Sequence, residues 1–137
     1  MYKIVYVLFC VIVFMACHKK EISDCRNRIC TTESRSIVFT FTDKSGTGVA
    51  VKDYSVVNMR TGESVKRNVS GLSLAPGTYI VLDDSDRNKL SAEGDDIKIS
   101  GKLEATGQTK STIMKVAGGA CACHIQKISG ADKLAFD

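Results

Sequence analysis

Apolar and polar residues alternate with a period of two along most of the chain after Arg35, which is typical of β-strands. In SIVFTFT (36–42) every second side chain on one face is large and apolar, and DIKISGKLEA (96–105) repeats the pattern. Because successive side chains of a strand point to opposite faces, each segment should bury one face. The residues predicted to form the core are Phe39, Phe41, Tyr79, Val81, Ile97, Ile99 and Leu103.

Turn signals separate these segments. DKSGTG (43–48) and RTGE (60–63) are rich in turn residues, and APGT (75–78) predicts a type II turn with Pro76 and Gly77 in the central positions. In VAVKDYSVV the alternation slips at Lys52–Asp53, as a β-bulge would cause. The remaining predicted segments are a strand TYIVL, a polar loop from Asp83 to about Asp95, strands STIMKVA and CACHIQKIS, and a short last strand over 133–136.

No segment of the chain shows a convincing helical stripe. Seven or eight short strands with regular turns in about 100 residues predict an all-β sandwich. That length is also the size of one domain.

The start of the chain has a different pattern. The basic residue Lys3 is followed by an uninterrupted apolar run from Ile4 to Ala16. This run is shorter than the about 20 residues that cross a bilayer, and its basic start is typical of a secretory signal peptide. We therefore predict a signal peptide over 1–16, a polar tether over 17–34 and the β-sandwich domain over 35–137.

Cys17 directly follows the small residue Ala16 at the end of this run. The arrangement resembles the lipobox of bacterial lipoproteins, although Phe14 and Met15 depart from its commonest residues. The resemblance implies that the leader is cut before Cys17 and that its thiol receives a diacylglycerol. Two or three acyl chains then anchor the protein stably. A plain cleaved signal with an incidental cysteine and an uncleaved anchor helix are the alternatives.

A second resemblance concerns the domain. Leu74, Pro76, Gly77, Tyr79 and Val81 match the L-x-P-G-x-Y-x-V motif of carboxypeptidase-regulatory-like and transthyretin-like domains. The likeness covers about residues 36–84 and implies an immunoglobulin-like or transthyretin-like antiparallel sandwich of about seven strands without catalytic residues. The closing CxCHIxKxSG is similar to the end of small lipoproteins from gut-type Gram-negative bacteria.

Four cysteines lie in the predicted mature chain beyond Cys17: Cys25, Cys30, Cys121 and Cys123. On an extended strand Cys121 and Cys123 would share a face about 6.5–7 Å apart, which is too far for an unstrained bridge between them. In an oxidising compartment we expect each to pair with Cys25 or Cys30, in either of two arrangements. Free thiols and a zinc site are the alternatives, but His124 would point to the other face and the spacing does not fit zinc.

Other candidate chemistry is weaker. Asp84, Asp86, Asn88 and Asp95 stand at positions 1, 3, 5 and 12 of a calcium loop, but the loop lacks the glycine at position 6 and the glutamate at position 12. A hydrophilic loop is the simpler interpretation. The two histidines, His18 and His124, show no sequence pattern of a hydrolytic triad. No catalytic or metal-binding residue is predicted.

These observations predict a lipoprotein that acts as a non-catalytic binding or accessory module of the cell envelope. A structural stalk without a small ligand and a thiol-redox or metal-binding protein are the alternatives. We expect an outer-membrane location, on the periplasmic or the cell-surface side, with the membrane and an envelope protein as partners. The formal net charge of +4 comes from scattered charges and gives no reason to expect nucleic acid. No cofactor or small-molecule ligand is expected.

Overall fold

The computed structural model describes residue 25 and residues 28–65 and 74–137. The predicted leader and Cys17 lie outside these residues. Within them the chain forms seven strands and one short 3₁₀ helix. In chain order these are β1 (Ser36–Thr42), β2 (Lys52–Asn58), β3 (Thr78–Asp83), the 3₁₀ helix (Asp84–Lys89), β4 (Asp95–Lys102), β5 (Thr109–Ala117), β6 (Gln126–Ser129) and β7 (Lys133–Ala135).

The strands form two sheets, which confirms the predicted all-β sandwich. One sheet has the order β3-β1-β7 and the other the order β2-β4-β5-β6. The pairings are antiparallel except for that between β1 and β7, which is parallel. The longest pairing joins β4 to β5, in register from Asp95 and Val116 to Lys102 and Thr109. The second sheet therefore provides the longer wall of the core.

The core lies between the two sheets and follows the period-two pattern of the sequence. Of the seven predicted core residues, five are fully buried: Phe39, Phe41, Val81, Ile97 and Ile99. Tyr79 and Leu103 are partly buried and pack against this cluster. Tyr79 keeps its hydroxyl at the edge of the core because it accepts a hydrogen bond from the Val51 amide at 2.8 Å. The faces of the strands are therefore as predicted.

Strand β2 contains the irregularity that the sequence indicated. Its pairing with β4 shifts register between Lys52 and Ser55. Asp53, which lies between them, has a φ of 52°, a conformation that few non-glycine residues adopt. The bulge at Lys52–Asp53 is confirmed, and the strand begins at Lys52.

The turn before β3 is also confirmed. The Thr78 amide donates to the Ala75 carbonyl at 3.0 Å, and Gly77 has a φ of 75°, as a type II turn requires. A Cβ atom on Gly77 would lie 2.5 Å from the Phe41 carbonyl oxygen. The glycine therefore permits both the turn and its close packing against the end of β1.

The segment after β3 differs from the predicted loop. Residues 84–89 form a 3₁₀ helix whose first turn is capped by Asp83, which accepts from the Ser85 amide, and by Asp86, which accepts from the Asp83 amide. The buried Leu90 then fastens the segment to the core. Local carboxylate-to-amide hydrogen bonds, which compete with extended structure, account for the helix.

Candidate functional site

Two disulfides connect the segment before β1 to the loop between β5 and β6. Cys25 is bonded to Cys121 and Cys30 to Cys123, and in each pair the Cα atoms are 5.3 Å apart. This is one of the two arrangements that the sequence left open. The bridges span 96 and 93 residues of the chain, so they join the start of the described chain to a point near its end.

The predicted strand CACHIQKIS (121–129) is confirmed over its last four residues and wrong over its first five. Strand β6 begins only at Gln126, and Cys121, Cys123 and His124 lie in the loop that precedes it. The loop turns towards the 3₁₀ helix because the Gly119 amide donates to the Arg87 carbonyl at 2.7 Å. A Cβ atom on Gly118 would lie 2.6 Å from the same carbonyl oxygen. The two glycines thus allow a close approach that turns both cysteines towards the N-terminal segment.

His124 joins this loop to two other segments. Its Nδ1 lies 2.7 Å from Asp84 Oδ2, and its Nε2 lies 2.8 Å from Thr31 Oγ1. An ionised carboxylate can only accept a hydrogen bond, so Nδ1 carries the hydrogen. In the neutral ring Nε2 then accepts from the Thr31 hydroxyl. The His124 and Asp84 side chains are mostly buried, with exposed fractions of 12% and 16%.

Asp84 also holds two backbone amides. Its Oδ2 accepts from the Arg35 amide and its Oδ1 from the Ile125 amide, both at 2.8 Å. Burial raises the pKa of Asp84, and this is the largest single effect on it. The hydrogen bonds from Arg35, His124 and Ile125 together outweigh burial and lower the pKa to about 2. The carboxylate is thus ionised at neutral pH. It is the centre of the contacts that join residues 31–35, the 3₁₀ helix and the β5–β6 loop, which we call the junction.

The order hydroxyl, imidazole, carboxylate is the connectivity of a hydrolase triad. Here, however, Asp84 is shared between His124 and two backbone amides, and the guanidinium of Arg28 at the same junction donates to the Cys121 carbonyl. These contacts tie the N-terminal segment, the 3₁₀ helix and the β5–β6 loop to one another. The arrangement holds three segments together.

The sequence did not indicate this junction. His124 is 40 positions from Asp84 and 93 from Thr31, and no local spacing relates the three residues. The run of two glycines and two cysteines over 118–123 was the one available signal, and it pointed to the loop but not to the partners of His124.

A cavity of about 390 Å³ opens beside the first disulfide. Its walls are mostly glycine and alanine from the β5–β6 loop, and Arg28, His124 and Gln126 are its larger side chains. Both ring nitrogens of His124 are already engaged by Thr31 and Asp84. The cavity therefore has few side-chain hydrogen-bond donors or acceptors that could bind a ligand.

The candidate calcium loop is not assembled. Asp84 faces His124, whereas Asp95 accepts from Asn58 Nδ2 at 2.7 Å and from Arg60 Nε at 2.6 Å. Asp86 caps the 3₁₀ helix. In the part of the chain that the structure describes, no three His, Cys, Asp or Glu residues are grouped so as to hold a metal ion.

Asp95 is the centre of a second polar cluster at the same end of the sandwich. The hydrogen bond from Arg60 is the main reason that the pKa of Asp95 lies well below its usual range; burial opposes it and the Asn58 amide adds to it. Arg60 also donates to the Lys89 carbonyl at 3.0 Å. This cluster fixes the end of β2 against the 3₁₀ helix.

The two clusters and the disulfides lie at one end of the sandwich, which we call the stapled pole. It consists of residues 28–35, the turn 58–63, the 3₁₀ helix, residues 91–95 and the loop 118–125. The opposite end, the distal pole, consists of the turns over 43–48, 75–78 and 103–108. The described residues of the N-terminal segment, Cys25 and residues 28–35, thus contact the stapled pole of the domain.

We predict that Asp84→Asn lowers the free energy of unfolding at neutral pH by about 1.5–3 kcal/mol, the range for hydrogen bonds to a charged group. The native pKa of Asp84 lies below its ordinary value of 3.8, so its contribution is present above that value and is lost as the pH falls towards 2. As the pH is lowered across this range, the free energy of unfolding measured with denaturant should therefore fall less for Asp84→Asn than for the native chain.

Asp96→Asn is the matched control for this measurement, because Asp96 is an exposed carboxylate on β4. Its effect should stay within about 0.5 kcal/mol. Equal stability of Asp84→Asn and the native chain at neutral pH would contradict the role given to Asp84.

No protein-family model, curated protein or solved structure matches this chain. No helix among the described residues is long and apolar enough to cross a membrane.

Proposed function

We propose that the chain is a lipid-anchored module of the bacterial cell envelope that acts without catalysis, as a binding or accessory domain. The observation that carries this proposal is the pair of disulfides between the N-terminal segment and the β5–β6 loop. Disulfides form and persist in oxidising compartments such as the periplasm and the cell surface. The apolar run from Ile4 to Ala16 followed by Cys17 supplies the export signal and the lipid anchor.

The non-catalytic part of the proposal is supported by the way the stapled pole uses its polar groups. Asp84 and His124 hold backbone and side-chain partners from three segments. Asp95 is engaged by Asn58 and Arg60. Groups committed to such networks contribute to the rigidity of a scaffold, and the partner we propose is another protein of the envelope.

We also propose that the sandwich is of the immunoglobulin-like or transthyretin-like type. Support comes from the match of Leu74, Pro76, Gly77, Tyr79 and Val81 to the motif of those domains. In the structure this motif forms the turn before β3 and the strand itself, with Val81 fully buried. Such modules serve as spacers and binding domains.

Replacing the lipid-bearing cysteine tests the anchor. The native chain, expressed in a Gram-negative host with an alkyne fatty acid, should incorporate the label and yield a mature amino terminus at Cys17. Cys17→Ser should incorporate none and should remain a precursor or become a soluble secreted form. The measurement is in-gel detection of the label together with mass analysis of the amino-terminal peptide.

Cys10→Ser is the matched control, because Cys10 lies within the same apolar run but follows the bulky Phe9. This variant should be labelled and processed like the native chain. Label in Cys17→Ser, or a native amino-terminal peptide with a free Cys17 thiol, would contradict the lipid anchor.

A further inference from the structure

We infer that the stapled pole faces the lipid surface and that the distal pole points away from it. This inference rests on the proposed function, since it takes Cys17 as the point of attachment to the membrane. It adds an orientation, which lipidation alone does not give: a domain on a long tether could turn either end towards the bilayer.

The first disulfide shortens the tether. Cys25 follows Cys17 by eight positions, so Cys25, which is bonded to Cys121, lies at most ~29 Å of extended chain from the anchor. Without the bridges, the first residue fixed in a sheet would be Ser36, which lies up to ~68 Å of extended chain from Cys17. The domain is at least as long as β5, whose nine residues span ~30 Å. The shortened tether therefore does not exceed the length of the domain.

The attachments after Cys25 also lie at the stapled pole. Cys30 is bonded to Cys123, Thr31 contacts His124, and the Arg35 amide donates to Asp84. Strand β1 then begins at the same pole and runs away from it. Several contacts along one segment prevent the domain from rotating freely about a single bond, so they hold one pole towards the anchor.

The residue composition of the tether suits a lipid headgroup layer. Between the anchor and the second disulfide the chain has a net charge of +2, from four basic residues (Lys19, Lys20, Arg26 and Arg28) and two acidic ones (Glu21 and Asp24). Basic residues beside an anchor are attracted to anionic lipids. Ile29, between the two bonded cysteines, has 96% of its side chain exposed. An exposed apolar side chain that directly follows a basic residue suits the boundary between headgroups and acyl chains.

The NMR signals of glycine amides can show, in a single experiment, which pole lies nearer to the bilayer. The mature lipidated protein, labelled with ¹⁵N-glycine, would be inserted into nanodiscs whose lipids include a small fraction of a gadolinium-chelating headgroup. Paramagnetic broadening falls steeply with distance from the bilayer. The reporters at the stapled pole are Gly62, Gly94, Gly118 and Gly119, and those at the distal pole are Gly46, Gly48, Gly77 and Gly107.

We expect the stapled-pole glycines to be broadened several-fold more strongly than the distal ones. In the variant Cys25→Ser with Cys121→Ser, which keeps the Cys30–Cys123 bridge, the difference should become smaller because the tether is longer. Equal broadening at the two poles, or stronger broadening at the distal pole, in protein that co-purifies with the nanodiscs would overturn the inference. If the native chain failed to enter the nanodiscs at all, the proposed lipid anchor would be what fails.

Discussion

Replacing Cys25, Cys30, Cys121 and Cys123 together by serine should lower the free energy of unfolding by about 4–5 kcal/mol, whereas removing either bridge alone should cost much less. In the chain-entropy model a cross-link that closes a loop of about 100 residues contributes about 4–5 kcal/mol. The bridges span 96 and 93 residues, so either one closes nearly the same loop. The loss in the fourfold variant should therefore be much larger than the sum of the losses from removing each bridge alone, as expected for coupled sites.

Denaturant unfolding of four proteins measures this effect: the native chain, Cys25→Ser with Cys121→Ser, Cys30→Ser with Cys123→Ser, and the fourfold variant. Replacing both partners of a bridge avoids a free thiol in the test. Additive losses from the two bridges would contradict the prediction. A negligible loss in the fourfold variant would indicate short local bridges, such as one between Cys25 and Cys30.

Phe41→Ala should lower the free energy of unfolding by about 3–5 kcal/mol, the usual cost of removing a fully buried phenylalanine. Phe41 has no exposed surface, and its ring lies 5.1 Å from that of Phe39, 5.9 Å from that of Tyr79 and 5.8 Å from that of Phe136. These rings come from β1, β3 and the end of the chain, so the substitution opens a cavity where several elements meet.

Val38→Ala is the matched control on the same strand. Val38 points away from the core and is 42% exposed, so its truncation should change stability by no more than about 0.5 kcal/mol. Urea or guanidinium unfolding of both variants gives the comparison. A loss below about 1 kcal/mol for Phe41→Ala, or a larger loss for Val38→Ala, would mean that the faces of β1 are reversed.

The sheets and their core could be predicted because they depend on local alternation. In β1 and β4 every second residue is apolar, and the alternation alone identifies the buried face. The bulge at Lys52–Asp53 was visible because it breaks that alternation, and the turn at Gly77 because proline and glycine occupy set positions.

The stapled pole could be predicted only in part, since its contacts join distant segments. Cys121, Cys123 and Ile125 alternate as strand residues do, yet the close packing of Gly118 and Gly119 against Arg87 turns the segment into a loop. The 3₁₀ helix was missed because carboxylate caps, and not an apolar stripe, form it. The link from Thr31 through His124 to Asp84 depends on that loop and that helix, so no pattern in the sequence reveals it.

Non-reducing peptide mapping of the purified protein tests the central claim, that the N-terminal segment is covalently joined to the β5–β6 loop. Trypsin cuts after Arg26 and Arg28, which separates the Cys25 peptide from the Cys30 peptide, and both should remain linked to the peptide that contains Cys121 and Cys123. Backbone fragmentation on either side of Ala122 should assign Cys25 to Cys121 and Cys30 to Cys123. Free thiols detected by alkylation, a peptide joined only through Cys25 and Cys30, or stoichiometric zinc in the same preparation would contradict the account.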